Sequence, residues 1–333
     1  MATRFTIFAA VLIFKLLPCV AAGAQDANLH QLFDDYDKWR LSESPESAMA
    51  QGDYSNADKL TDVSLATIDR RHHERQEFLK RLHAVDRAAL TSDDQLNYDL
   101  FERMLSRSIE GHVFATYLMP IGSRSGPHQD IPQMSNRVRF QTPADFNNYC
   151  VRLEATPQLV NDTIAALKLG LEKGLTPPKV VLEDVPNQIK RLLETNGLDA
   201  LAEPFETCDE KLDEAVASVV TRRFEAKSMR DVRGALQKLL LFLESEYLPK
   251  CRESIAARDL PDGEAFYAHQ LRTMTTTDLT AKEIHEIGLK EVARIRAEML
   301  DVIRRSDFLE HHPEARDAGD EDLFKSFVHY LRT

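Results

Sequence analysis

Apolar residues recur at steps of three and four along most of this 333-residue chain, and that spacing restricts it mainly to helices. The clearest case lies between Val232 and Ile255, where Pro249 predicts a kink near the end of the helix. The apolar positions of this run are Val232, Leu236, Leu239, Leu240, Leu243, Tyr247 and Cys251. Six turns of unbroken period predict a core helix.

Helix-start chemistry accompanies the periodicity. Ser92 with Gln95 and Thr280 with Glu283 each have the spacing of a capping box. Thr142-Pro143 and Thr156-Pro157 each predict a Thr N-cap, followed by Pro at the first helical position, where no amide hydrogen is needed. Gly174 is placed to end the helix that starts at Thr156, because glycine readily adopts the left-handed conformation.

The first half of the chain predicts two packed helices. One extends from Leu60 to Leu90, and the second follows Ser92 and packs back on the first. The predicted core stripe of the second helix is Leu96, Leu100, Phe101, Met104, Leu105 and Ile109. Together with the later helices, including a final amphipathic run at Leu323–Leu331, these patterns predict an all-α fold, an antiparallel helix bundle with long loops and little strand.

Two stretches depart from the helical pattern. Gly122–Gln133 contains two Gly and two Pro without an apolar period, which predicts a long loop. Tyr267–Thr277 is rich in Thr and predicts an extended segment. Both Gly122–Asp130 and Tyr267–Thr277 are candidate ligand surfaces because hydroxyls and amides are available there, although a connecting loop and a packed strand are the simpler explanations.

Residues 1–24 have the composition of a secretory signal peptide. Arg4 precedes an apolar run, and Ala22-Gly23-Ala24 resembles a cleavage site. The run is too short for a membrane anchor, and Pro18 before Cys19 disfavours a lipoprotein signal. We therefore expect export to the periplasm or the medium, with residues 25–333 forming a helical domain.

The overall charge excludes some partners. A formal net charge of −12 and a pI near 5.4 disfavour nucleic acid and anionic membrane surfaces, since both require clustered cations. We therefore expect no nucleic-acid partner, and no membrane association once the signal is removed. Three cysteines remain after cleavage, Cys150, Cys208 and Cys251, so at least one is unpaired, and no disulfide framework or Cys-rich zinc site is indicated.

Two His-Glu pairs come closest to a helix-borne zinc site, which needs a second His one turn after the first. His285-Glu286 is followed by Ile287-Gly288-Leu289, which places an apolar residue at the second ligand position. His73-Glu74 is followed by Arg75-Gln76-Glu77. A core or helix-face role is the simpler explanation for His285, and a solvated helix face surrounded by arginines is the simpler one for His72, His73 and Glu77.

The remaining motifs are weaker. His311-His312-Pro313-Glu314 lies in a charged segment and is best explained as surface. Gly122-Ser-Arg-Ser-Gly126 lacks the strand, the helix and the Ser spacing of a nucleophile elbow. We therefore assign no catalytic, cofactor-binding or metal-ligating residue from the sequence.

Three blocks of sequence resemble one bacterial family. The run LRTMTTTDLTAKEIHEIGLKEVARI, residues 271–295 with Tyr267 before it, closely resembles a stretch typical of domain of unknown function 885. Met119–His128 followed by Phe140–Leu153 is similar to an earlier block of that family, and Leu41–Ala48 with Gly52-Asp53 is similar to its opening.

The resemblance implies a helical hydrolase. Members of that family are similar to gluzincin-type zinc metallopeptidases, and their metal site is expected at a His-Glu pair followed by a Pro-Gly-His-His run in the second half of the chain. This sequence contains no such run, so no zinc ligand can be assigned to any residue here. We expect no cofactor in this chain, although zinc is implied for the full-length family.

The function that we predict follows from the absence of the metal-binding second half that family members are expected to have. The chain is interpreted as the N-terminal portion of an exported peptidase-like hydrolase, inactive alone, whose peptide or small-molecule substrate would be bound with the help of the absent half. The alternative is an exported helical binding or scaffold module without catalysis.

Overall fold

The computed structural model describes residues 26–194 and 196–332, and within them the fold is all-α, as predicted. The predicted signal peptide at residues 1–24 lies outside the described residues. The chain divides after Gly263 into two compact units. We call the part before this point unit 1 and the part from Glu264 onward unit 2.

The helices are joined by connections of varied length, several of which contain 3₁₀ turns. The described part of the first helix, α1, covers residues 26–42. The helices that follow in unit 1 are α2 (Pro45–Ala50), α3 (Leu65–His83), α4 (Ser92–Gly111), α5 (Pro127–Asp130), α6 (Pro143–Glu154), α7 (Thr156–Glu172), α8 (Lys179–Leu182), α9 (Val185–Leu193), α10 (Asp199–Glu206), α11 (Glu214–Arg223) and α12 (Met229–Phe242). Those of unit 2 are α13 (Gly263–Thr275), α14 (Ala281–Arg305), α15 (Phe308–His311) and α16 (Asp320–Tyr330).

The predicted core helix is the centre of unit 1. Helix α12 packs against α6, α7 and α9, and its apolar face is buried through Val232, Leu236 and Leu239. The helical path continues beyond α12 as one π-helical segment and one 3₁₀ turn, Leu248–Lys250, which contains Pro249. The regular α-helical pattern therefore ends before Pro249, in the region where the kink was predicted.

A second apolar cluster joins α1, α3 and α4. Its fully buried members include Leu29, Leu82 and Leu105, and the Tyr36 ring packs edge-on against Phe78 and Phe101. Helix α4 packs back on α3, which confirms the predicted pair.

Two of the predicted helix starts are confirmed. Oγ1 of Thr142 accepts from the amide of Asp145, and Oδ2 of Asp145 accepts from the amide of Thr142 at 2.9 Å. Thr280 and Glu283 form the same reciprocal box at the start of α14. Each box satisfies two of the four amides that a helix start leaves without partners.

Three other starts were predicted wrongly. The N-cap of α4 is Thr91 rather than Ser92, because the Thr91 hydroxyl accepts from the amide of Asp94. Thr156 lies inside α7, and its hydroxyl donates to the Leu153 carbonyl at 2.7 Å instead of capping. The helix predicted from Leu60 begins only at Leu65, after the N-cap Ser64.

The predicted core stripe of α4 is also partly wrong. Leu105 is buried, but Leu96, Leu100 and Met104 are exposed by 59%, 57% and 43%. The helix instead turns Tyr98 and Leu105 toward α1 and α3. Leu96, Leu100 and Met104 also recur at helical spacing, so apolar period alone could not decide which face packs.

Unit 2 contains a small core of its own. Leu300, Ile303, Phe308, Ala315 and Leu323 are buried together between α14, α15 and α16. None of the helices in the described parts of the chain is long and apolar enough to cross a membrane.

The extended segment predicted at Tyr267–Thr277 is wrong, because helix α13 continues to Thr275. In the described ranges the bridge pairs are isolated, at Gly122–Ser125 and Pro178–Arg252, so a strand here has no sheet to join. The Thr275 hydroxyl donates to the Leu271 carbonyl at 2.8 Å, the local bond by which threonine is accommodated in a helix.

Candidate functional site

The segment predicted as a long loop is compact and mostly helical. Gly122 and Ser125 close a tight turn with two backbone hydrogen bonds, and Gly126 follows with a φ of +111°. Helix α5 and a 3₁₀ helix at Ile131–Arg137 then continue the path. The helical end of this segment forms one wall of a pocket.

The pocket has a volume of about 530 Å³ and lies wholly within unit 1. Its walls come from α2, the segment before α3, the end of α5, the 3₁₀ helix at Ile131–Arg137, α6 and α7. This volume falls in the range of small-molecule sites in proteins. The lining residues are Glu46, Leu60, Thr61, Val63, Asp130, Gln133, Met134, Asn136, Arg152 and Leu159.

Arg152 is the unusual member of this lining. Arg152 is only 2% exposed, although arginine side chains are almost never fully buried unless they are paired. Helix α6 places it one turn after the buried Tyr149, so the same face that carries the core also carries the charge.

The contacts of the Arg152 guanidinium are weak. Nη1 donates to Sδ of Met49 at 3.7 Å, and Nη2 lies 3.6 Å from Oε1 of Glu46. Nε has no partner among the described residues. Burial lowers the pKa of Arg152 from its ordinary value, although arginine stays protonated in proteins.

Glu46 offsets part of this charge as an ion-pair partner, but its carboxylate also accepts hydrogen bonds from Thr61. Oε1 accepts from the Thr61 amide at 3.1 Å, and Oε2 accepts from the Thr61 hydroxyl. The pair with Arg152 is therefore longer than a hydrogen bond and lacks the two parallel bonds of a good guanidinium–carboxylate pair.

A buried cation with such partners is costly. Removal of a charge from water costs several kcal/mol unless hydrogen bonds and an opposite charge replace the solvent. A buried polar group without a partner calls for an explanation such as strain, a bound water or ion, or a binding role. The arrangement can accept an anionic group in the pocket, which would satisfy the guanidinium.

Arg152 was not predicted as a site residue, although the sequence of α6 contains a signal for it. In α6 the apolar face includes Phe146, Tyr149 and Leu153, and Arg152 follows Tyr149 by three positions. A charged residue on an apolar helix face predicts a buried charge. The convergence of Glu46 and Arg152, 106 positions apart in the sequence, could not be read from local patterns.

The histidines of α3 do not form a metal site with the described residues. The His72 ring stacks on His112, with ring centroids 3.8 Å apart and planes inclined by 12°. Parallel rings do not direct their nitrogen lone pairs toward one cation. His73 instead contacts the Asp69 carbonyl through Nδ1 at 2.8 Å.

The other histidine candidates are separate from one another. His285 is exposed on α14, as expected for a helix-face residue. Nδ1 of His312 lies 3.2 Å from Oε1 of Glu314. In residues 26–194 and 196–332, no three or more His, Cys, Asp or Glu side chains are placed to hold a metal ion.

Comparison with known proteins adds a family and a fold. The family model described as "Bacterial protein of unknown function (DUF885)" matches residues 45–332. A solved structure described as "the putative lipoprotein from Colwellia psychrerythraea" aligns with a TM-score of 0.70 at 19% sequence identity. The alignment covers 87% of this chain and 52% of that one, so the chain spans about half of its length. No curated protein matches this chain.

Proposed function

Because the chain belongs to the bacterial family DUF885, we propose that it is the N-terminal helical portion of an exported peptidase-like hydrolase. In this proposal the chain supplies one wall of the substrate site. The metal and the catalytic base come from residues outside this sequence. The chain alone is then inactive.

The likeness to a longer structure carries this proposal. The alignable fold occupies 52% of the Colwellia psychrerythraea protein, so that protein has a large additional part that this sequence does not match. Its description as a lipoprotein agrees with the export that we predict for this chain from residues 1–24.

The surface of unit 2 supports a missing packing partner. The apolar residues Val292, Ile295, Met299 and Val302 on α14 are between 42% and 66% exposed. An apolar groove of about 360 Å³ continues this surface between α14 and α16. Monomeric proteins seldom leave such contiguous apolar surfaces in water, so we propose that the rest of the hydrolase covers it.

The test is an assay of the purified chain. Zinc content by elemental analysis and hydrolysis of a fluorogenic peptide library are measured side by side. The proposal predicts neither stoichiometric zinc nor hydrolysis. One zinc per chain together with zinc-dependent peptide hydrolysis would overturn it.

The pocket around Arg152 favours a second candidate function. All of its lining belongs to unit 1, so a ligand can bind there without any other polypeptide. The chain would then be an exported binding module. Reading the genomic sequence beyond the codon for Thr333 discriminates between the two. A continuation with a His-Glu pair and a Pro-Gly-His-His run supports the hydrolase, and unrelated sequence supports the binding module.

A further inference from the structure

We infer that the pocket around Arg152 binds a small zwitterion, a molecule that presents a free carboxylate to Arg152, an ammonium group to the carboxylates of the lining, and an apolar body to the remaining wall. The inference rests on the proposed function only in treating this pocket as a ligand site. Binding to the isolated chain is measurable whether or not the chain hydrolyses anything.

The carboxylate requirement follows from Arg152. A guanidinium offers a planar fork of N–H groups that matches a carboxylate with two parallel hydrogen bonds. None of the contacts of Arg152 is a hydrogen bond to an oxygen of the described residues, since Met49 offers sulfur and Glu46 is 3.6 Å away. In this proposal, the ligand carboxylate supplies the oxygen partner that the buried guanidinium lacks.

The ammonium requirement follows from the acidic members of the lining. Glu46 and Asp130 both line the pocket, together with one arginine. A phosphate would bring two negative charges toward these carboxylates, and like charges in a partly desolvated site repel strongly. A ligand that carries one positive and one negative charge matches the lining without this repulsion.

The apolar requirement follows from the remaining residues. Leu60, Val63, Met134 and Leu159 line the same pocket. The volume of about 530 Å³ exceeds what a single free amino acid would fill, and it suits a molecule the size of a dipeptide with two branched side chains. Leucyl-leucine is therefore the probe with which we would test the site.

The experiment is isothermal titration calorimetry of the full chain with four probes. Leucyl-leucine should bind at one site per chain. Leucyl-leucinamide, which lacks the carboxylate, and N-acetyl-leucyl-leucine, which lacks the ammonium group, should each bind at least about tenfold more weakly, the loss typical of one charge-assisted contact. Inorganic phosphate should not bind.

Variants assign the contacts. Arg152→Gln should abolish binding, and Arg152→Lys should weaken it at least about tenfold because a lysine lacks the planar fork. Glu46→Gln should weaken the binding of leucyl-leucine relative to that of N-acetyl-leucyl-leucine, because only leucyl-leucine has an ammonium group to lose its partner, and this comparison tests the site even if the Arg152 variants fail to fold. The control is Arg230→Gln, because Arg230 lies on the exposed side of α12 and outside the pocket.

Three results would overturn the inference. The first is that leucyl-leucine does not bind at concentrations up to about 10 mM, which would mean a binding free energy less favourable than about −3 kcal/mol. The second is that the amide binds as tightly as leucyl-leucine. The third is that phosphate binds more tightly than leucyl-leucine. The outcome of the zinc and hydrolysis assays does not affect any of these binding measurements. The two proposals can therefore fail separately.

Discussion

The Arg223 guanidinium forms two parallel hydrogen bonds with the Glu154 carboxylate, from Nε to Oε1 at 2.7 Å and from Nη2 to Oε2 at 2.8 Å. Lys227 and the Ser228 hydroxyl donate to the same carboxylate. These bonds join the end of α6 to the end of α11 and to the segment between α11 and α12. They lower the pKa of Glu154 to about 2, with the Arg223 hydrogen bonds as the largest cause.

The first prediction concerns acid stability. The pKa of Glu154 is lower in the folded chain than its ordinary 4.5, so its stabilisation is present above about pH 4.5 and is lost as the pH falls toward about 2. Glu154→Gln should lower the free energy of unfolding at neutral pH by about 2 kcal/mol, because two cations lose their carboxylate partner. Urea denaturation at a series of pH values measures both effects.

The matched control for this prediction is Glu225→Gln. Glu225 is an exposed glutamate in the segment between α11 and α12. Its replacement should change neither the free energy of unfolding nor its slope between about pH 4.5 and about pH 2. If both variants lose the same stability, the pairing with Arg223 does not stabilise the fold.

The second prediction concerns the stacked imidazoles of His72 and His112. Burial lowers the pKa of both rings, more than any neighbouring charge does. A histidine whose folded pKa is lowered stabilises the fold above the unfolded pKa of about 6.5 and loses that contribution as the pH falls below it. We expect the free energy of unfolding to decrease from about pH 7.5 to about pH 5.5.

The variant His112→Phe tests this explanation. Phenylalanine keeps an aromatic ring between His72 and Tyr117 but has no charge to gain, so the decrease in this pH range should become smaller. His285→Gln, at an exposed position of α14, is the control and should leave the decrease unchanged. An unaltered pH dependence in His112→Phe would show that other groups cause it.

Much of the fold could be predicted from the sequence, because helix starts and periodic apolar faces are local signals. The Thr142–Asp145 and Thr280–Glu283 boxes depend only on residues three positions apart, and both were found. Thr156 was misassigned since its hydroxyl also reaches the Leu153 carbonyl, a choice that the local sequence does not decide.

The candidate site was less predictable, because it depends on contacts between distant segments. Glu46 comes from α2 and Arg152 from α6, and only packing brings them within 3.6 Å. The predicted ligand surface at Gly122–Asp130 ends at the pocket, but a loop was expected there. The loop prediction failed since Pro127 begins a helical turn as readily as it breaks a helix.

The third prediction contrasts two glycines in helices. A Cβ at Gly170 in α7 would lie 2.7 Å from the Leu118 carbonyl oxygen and 2.8 Å from that of Leu175. Gly170→Ala should therefore destabilise the chain by about 2 kcal/mol through overpacking. Thermal denaturation followed by circular dichroism measures this loss.

Gly234 in α12 provides the opposite case. A Cβ at this position meets nothing among the described residues within 4 Å. Gly234→Ala should stabilise the chain by roughly 0.5–1 kcal/mol, since alanine loses less backbone freedom on forming a helix. Equal losses in the two variants would contradict the close backbone contact at Gly170.

The fourth prediction concerns the exposed apolar face of α14. Val292 and Ile295 are 66% and 45% exposed and lie one turn apart. Replacing both with Lys should reduce the fluorescence of a bound hydrophobic dye about twofold or more without lowering the helix content, because the two side chains contribute surface rather than core. Lys290→Gln, on the same helix, should change neither signal. A loss of helix content in the double variant would instead mean that these residues are buried within the folded chain, and the proposed covering partner would then be unnecessary.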